Sequence, residues 1–141
     1  MCCVFPEGKT TCIRGRSGCG KTTLIRLLLG LDIPDKGKIE GISDRKISAV
    51  FQEDRLCENL SAASNIRLVC TKTISDRELE EAYKAVALTE VWQKPVRELS
   101  GGMRRRVSIL RALLADSDCV IMDEPLRGLD EKTRTKTIDY I

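Results

Sequence analysis

The chain has no histidine at all. Its seven cysteines stand at positions 2, 3, 12, 19, 57, 70 and 119, and no two of them show C-x-x-C spacing. Together these absences argue against a zinc site, whose ligands come in tightly spaced Cys and His pairs. Long apolar runs are missing as well. The longest is only a few residues around Leu27-Leu28-Leu29, far short of the roughly 18 that cross a bilayer. The first residues, Met1-Cys2-Cys3-Val4-Phe5-Pro6, carry neither a basic head nor a long apolar stretch, so no signal peptide is read there. Any link to a membrane is therefore expected to run through a partner protein. Charge of one sign is scarce too. The 24 basic and 21 acidic residues leave a net +3, too mild a balance to point to nucleic acid. Internal repeats, low-complexity tracts and Gly/Ser linkers are absent.

What remains is the composition of an ordinary folded domain, 42% hydrophobic and 32% charged. An odd number of cysteines without a secretory signal points to free thiols in a reducing compartment. Cys12 and Cys119 are read as small apolar residues of buried strands. The segment Lys9–Arg14, with Thr10, Thr11 and Ile13, is β-compatible. A helix is expected from Lys21 to about Leu29, with Leu24, Leu27, Leu28 and Leu31 at helical spacing and Gly30 as its stop. Ile47–Phe51 reads as a short strand. Ser75 and Glu78 form a capping box, followed by Leu79, Ala82, Tyr83 and Val86 on one helical face. A second helix is expected from Ser100 to about Ala115, with Val107, Leu110 and Leu114 as its stripe. Cys119-Val120-Ile121-Met122 is an unbroken apolar run, as in a buried parallel strand. Strands alternating with helices give an α/β fold.

Gly15-Arg16-Ser17-Gly18-Cys19-Gly20-Lys21-Thr22 fits G-x-x-x-x-G-K-[ST] at every fixed position, between a strand-like segment and a helix. A triphosphate needs many donors packed closely around it. Glycines let successive amides turn inward, and the helix start adds a positive dipole end. Lys21 is expected at the β- and γ-phosphates, and Thr22, next to Thr23, at Mg²⁺. Asp123 and Glu124 end the apolar strand, where ligands bind in α/β sheets. Asp123 is expected to hold Mg²⁺ directly or through water. Glu124 is expected to polarise the attacking water.

Leu99-Ser100-Gly101-Gly102-Met103 resembles the signature motif of the ABC (ATP-binding cassette) ATPases and lies shortly before the acidic strand, as in that family. Ser100, Gly101 and Gly102 again offer a hydroxyl and amides at a helix start. Phe51-Gln52 resembles the family's Q-loop, and Gly128-Leu129-Asp130 its D-loop. The resemblance runs from about Pro6 to Tyr140. It implies a P-loop NTPase fold: a RecA-like core with a mainly parallel sheet (1–52 and 118–141) and a helical subdomain (53–117). It implies an ATPase that binds ATP and Mg²⁺, with Gln52 sensing metal and water. Ser100–Gly102 and Asp130 would face a nucleotide across a dimer of two such cassettes. Expected partners are a second ATPase subunit, a transmembrane permease and a substrate-binding protein, on the cytoplasmic face of the membrane. Phe51-Gln52-Glu53-Asp54-Arg55-Leu56 and Met103 look most like importers of the nitrate, sulfonate and taurine type. Arg104-Arg105-Arg106 is expected on an exposed or interface side of the signature helix.

The chain departs from the family pattern in three places. Met103 stands where glutamine is usual. The family's adenine-stacking aromatic lies farther upstream than the 20 residues before Lys21 allow. Its switch histidine lies farther downstream than Ile141. Truncation at both ends, with weak ATP binding and poor hydrolysis by this stretch alone, is the expectation. The alternatives are a soluble ABC-type ATPase of translation or DNA, or a catalytically defective fragment.

Overall fold

The computed structural model describes residues 2–89 and 91–141. Met1, the head of the stretch read for a leader, and Glu90 lie outside them. The chain divides into two compact units, one ending at Ile42 and the other running from Ser43 to Ile141.

In the first unit one regular element forms among the described residues, helix α1 (Lys21–Leu28). Leu24, Ile25, Leu27 and Leu28 are its half-buried apolar residues. Gly30, at φ 66°, ends it as expected. The Gly30 amide donates to the Leu27 carbonyl at 3.1 Å and the Leu31 amide to the Arg26 carbonyl at 2.9 Å. That pair of bonds is a Schellman cap, and it satisfies carbonyls the helix end leaves free. Leu31 therefore lies beyond the helix, 48% exposed, and not on its stripe. An exposed bidentate pair from Arg26 to Asp32, at 2.7 and 2.8 Å, closes the following turn. Lys9–Arg14 forms no strand, and Cys12 is exposed. β-compatible residues make a strand only when a neighbour takes up their amides and carbonyls. Cys12 is thus not the buried strand residue its neighbours suggested, and Cys119 is only half-buried.

The second unit holds β1 (Ile47–Val50), α2 (Ala62–Arg67), α3 (Asp76–Ala85), a 3-10 turn (Val96–Glu98), α4 (Gly101–Leu114), β2 (Cys119–Met122) and α5 (Glu131–Tyr140). The two strands pair in parallel, with Ile47 opposite Cys119 and Val50 opposite Met122. Helices between parallel neighbours make this an α/β arrangement. The capping box is present: the Ser75 hydroxyl accepts from the Glu78 amide, and the Glu78 carboxylate from the Ser75 amide. Leu79, Ala82, Tyr83 and Val86 all face inward, each no more than 4% exposed.

Helix α4 is the axis of this unit, because it is apolar on two sides. Val107 and Leu110, with half-buried Met103 and Leu114, enter a helical core with Ala62, Ile66, Leu79 and Tyr83. Ile109 and Ala112 enter a second cluster with Val50, Val120 and Met122. Each fully buried aliphatic side chain there stabilises the fold by about 1.5–3 kcal/mol. The Ser48 hydroxyl donates to the Ala112 carbonyl at 2.7 Å and fixes β1 against the helix. Asn65 is fully buried on α2 and holds the loop before it. Its Oδ1 accepts from the Cys57 amide at 2.7 Å, and its Nδ2 donates to the carbonyls of Cys57 and Ser61 at 3.0 Å each.

Candidate functional site

The residues singled out from the sequence fall in both units. In the first, Gly15–Gly20 turns into the start of α1. Gly18 at φ 78° and Gly20 at φ 93° take the left-handed conformation that side chains resist. At Gly15 the reason for glycine is space: a Cβ there would meet Cys19 Sγ at 2.6 Å. The Lys21 ammonium folds back over the loop and donates to the carbonyls of Gly15 at 2.9 Å and Arg16 at 3.0 Å. Arg16, Ser17, Cys19, Thr22 and Thr23 are exposed. No acidic residue stands in the first turn of α1. A tight glycine loop, an ammonium above it and a helix start free of negative charge fit a polyphosphate.

In the second unit the parallel pairing places two loops side by side. β1 runs out into Phe51-Gln52 and β2 into Asp123-Glu124. The Asp123 amide continues the ladder, donating to the Val50 carbonyl at 2.8 Å. Gln52, Asp123 and Glu124 thus leave neighbouring strand tips. Asp123 is 6% exposed. Glu124 is exposed and left-handed, φ 48°, with Oε2 3.6 Å from Arg127 Nη1. A pair this exposed is worth about 0–1 kcal/mol and leaves the carboxylate free to be used.

Helix α4 begins at Ser100, whose Oγ accepts from the Met103 amide at 3.3 Å. Its first turn, like that of α1, contains no acid, whereas α3 and α5 both start with one. Both helix starts read as anion sites therefore lack the negative charge that would repel an anion. Gly102 lies against the loop before α5, where an added Cβ would come 3.6 Å from Leu129 and 3.7 Å from the Gly128 carbonyl. The signature and D-loop stretches are thus neighbours within one chain. Asp130 caps α5, its Oδ1 accepting from the Thr133 amide at 3.0 Å and its Oδ2 from the Thr133 hydroxyl at 2.6 Å. Those bonds hold its carboxyl below the usual range.

Two of the three clustered arginines are not on the surface, while Arg104 is half-buried. Arg105 and Arg106 are 4% and 7% exposed. The Arg105 guanidinium donates to the Asp123 and Glu124 carbonyls at 2.7 Å each, to Pro125 at 3.0 Å, and to the carbonyls of Phe51 and Gln52. Arg106 reaches the carbonyls of Val86 at 2.9 Å and Ala87 at 2.7 Å. Carbonyls at loop bends supply what water otherwise gives, so these charges can be buried. The sequence did hold a signal. Arg105 stands four and seven residues before Ile109 and Ala112, which places it on the strand-facing side of α4.

For Mg²⁺ the candidates are Thr22 in the first unit and Gln52 and Asp123 in the second. Among the described residues no three Asp, Glu, Cys or His cluster as a metal site. Within the second unit, Gln52 and Asp123 supply one carboxylate between them, which fits an ion that takes its remaining oxygens from phosphate and water.

The sequence profile of a family described as ABC transporter matches residues 3–127. The chain is similar to an aliphatic sulfonates import ATP-binding protein of Paraburkholderia xenovorans, 39% identical over 130 residues, 92% of this chain and 52% of that protein. It also resembles a Pyrococcus furiosus protein described as an ABC transporter ATP-binding protein, at TM-score 0.78 and 25% identity over 89% of this chain and 66% of that one. A chain in the complex of an archaeal ribosomal stalk protein with the archaeal ribosome recycling factor matches at TM-score 0.74 and 31% identity, over 87% of this chain and 24% of that one. The chain spans about half the length of the sulfonate-import relative it matches.

Proposed function

The chain belongs to the ABC transporter family, and on that premise we propose that it binds and hydrolyses ATP to drive the import of a solute across a membrane. The observation that carries the reading is the parallel pairing of the two strands, from whose neighbouring ends the Gln52 loop and the Asp123-Glu124 loop leave. The glycine loop from Gly15 to Gly20, with Arg16, Ser17, Cys19, Thr22 and Thr23, wraps the phosphates. Lys21 leaves the loop carbonyls and offers its charge to the β- and γ-phosphates. Glu124 takes the proton of the attacking water, and Gln52 orients that water. Thr22, and in the other unit Gln52 and Asp123, are the residues that would hold Mg²⁺, which would offset the charge of the phosphate oxygens.

Ser100, Gly101, Gly102 and Asp130 face the nucleotide of a second cassette, so that two copies close on two ATP molecules. Residues 53–117 form the helical subdomain, which passes closure to a permease at the cytoplasmic face of the membrane. A substrate-binding protein delivers the cargo. No helix among the described residues is long and apolar enough to cross a membrane. The match to the recycling-factor complex supports a soluble role in translation as the second reading. The 39% identity over 92% of the chain with an import subunit weighs for transport.

The test is ATP binding and phosphate release by Lys21→Ala and Glu124→Gln in the protein at its natural length. Lys21→Ala is expected to weaken ATP binding at least about tenfold. Glu124→Gln is expected to keep binding and lower phosphate release on the order of 10²–10³-fold. Undiminished binding by the first overturns the phosphate-loop assignment, and near-normal release by the second overturns the base.

A further inference from the structure

Arg105 belongs to none of the roles above, yet it touches both loops that carry them. Its side chain is 5% exposed, and Asp54 Oδ1 lies 3.5 Å from it. The rest of its fork is spent on backbone. Nη2 bridges the carbonyls of Asp123 and Glu124, Nε takes Pro125, and Nη1 takes Phe51 and Gln52. Two of these carbonyls flank the left-handed residue Glu124, at φ 48°. A glutamate held there sends its side chain in a direction that a relaxed turn would not.

Helix α4 starts at the signature motif, so one guanidinium joins that helix to the water-orienting loop and to the base. Arg106 and Arg111 also bind loop carbonyls, at Val86–Ala87 and Asp54–Arg55. Neither reaches both strand tips, and Arg105 alone among the three does.

We propose that Arg105 is a positioning residue: it fixes the Asp123–Glu124 turn against the Gln52 loop and so sets the direction of the Glu124 carboxylate. The proposal rests on the assignment of Glu124 as base. A lysine replaces it only in part, because a point charge with three donors does not span carbonyls from two loops.

The experiment is a double-mutant cycle at natural length, with kcat from phosphate release and ATP affinity from a fluorescent ATP analogue. Arg105→Gln is expected to lower kcat on the order of 10²-fold while the affinity changes less than about threefold. Arg105→Lys is expected to fall between it and the parent. If Arg105→Gln does not fold, the lysine variant carries the cycle. In the Glu124→Gln background the same change is expected to lower the residual rate no further, because its effect passes through the missing carboxylate. Additive losses, or affinity falling in step with kcat, would show a general structural role and overturn the proposal. Hydrolysis that survives Glu124→Gln would instead remove the base assignment, and the proposal with it.

Discussion

The guanidinium of Arg111 donates at 2.8 Å to the carbonyl of Arg55, a residue held at φ 46°. Arg55 is one of three non-glycine residues with positive φ among the described residues, the others being Ala87 at 55° and Glu124 at 48°. Each gives its carbonyl to an arginine of α4: Arg55 to Arg111, Ala87 to Arg106, Glu124 to Arg105. In every case the same guanidinium also takes the preceding carbonyl, of Asp54, Val86 or Asp123. A left-handed non-glycine residue costs about 1–2 kcal/mol. A hydrogen bond from a charged donor returns about 1.5–3 kcal/mol. One such bond therefore offsets the strain, and α4 holds three loops in conformations they would not keep alone. Burial lowers the Arg106 and Arg111 guanidinium groups, with nearby Asp130 opposing for the first and Cys57 and Asp54 for the second.

Ala87 gives the simplest test of that balance, because no chemistry is assigned to it. Glycine accepts its conformation without the Cβ clash but loses more chain entropy on folding. The difference favours glycine, so Ala87→Gly is expected to raise unfolding free energy by about 0.5–1 kcal/mol in urea titration. A loss of stability would mean that Ala87 is not strained and that Arg106 has no strain to offset.

Hydrogen-bonded carboxylates, two of them at helix starts, set the response to acid. The Ser75 hydroxyl and amide both donate to Glu78 Oε2, at 2.6 and 2.8 Å, and hold that carboxyl below its usual range. Thr133 does the same for Asp130, and Thr71 for Asp116. A carboxyl with a depressed folded-state pKa contributes fully above its unfolded value, about 4, and less as pH falls through the folded value. The melting temperature is therefore expected to hold from neutral pH to about pH 5 and to drop below about pH 4. Ser75→Ala should lower it at neutral pH and make the acid drop shallower. An unchanged acid limb would show that Glu78 contributes nothing through its cap.

What the sequence made legible was local. The capping box and the spacing of Leu79, Ala82, Tyr83 and Val86 lie within one turn or two of each other, and helix α3 follows. The apolar run Cys119–Met122 and the stop at Gly30 are likewise short-range signals. Lys9–Arg14 was not legible, because a strand depends on a neighbour that residue types do not name. The arginines misled for a related reason. Three consecutive cations look solvent-facing until α4 is known to be packed on two sides, against helices through Val107 and Leu110 and against strands through Ile109 and Ala112. Asn65 was invisible, since its partners are backbone amide and carbonyl groups of the preceding loop.

Tyr83 is the reverse of these satisfied groups. It is 1% exposed, and its hydroxyl has no hydrogen-bond partner among the described residues. Burial pushes its phenol far up, with Arg67 opposing, so it stays neutral across the stable range. A buried hydroxyl without a partner costs about 1–3 kcal/mol. Tyr83→Phe keeps the ring and removes that cost, and is expected to stabilise the protein by about 1 kcal/mol in urea titration. Destabilisation would reveal a partner for the hydroxyl.

Gly15 tests the phosphate loop from inside. A Cβ placed there meets the Cys19 sulfur at 2.6 Å, while the Cys19 Cβ stays 3.9 Å away. The conflict is therefore with one rotatable atom and not with the backbone. In Gly15→Ala the thiol must swing aside or the loop must open, and either displaces amides that are to face phosphate. ATP binding is expected to weaken between about threefold and tenfold, since each tenfold step is about 1.4 kcal/mol. Cys19→Ala removes the sulfur, so the double variant Gly15→Ala/Cys19→Ala should bind ATP nearly as well as Cys19→Ala alone. If the double variant is as weak as Gly15→Ala, steric conflict with Cys19 is not why glycine stands at 15. The loop's backbone path would then be the constraint, and the same loss should appear with any side chain at that position.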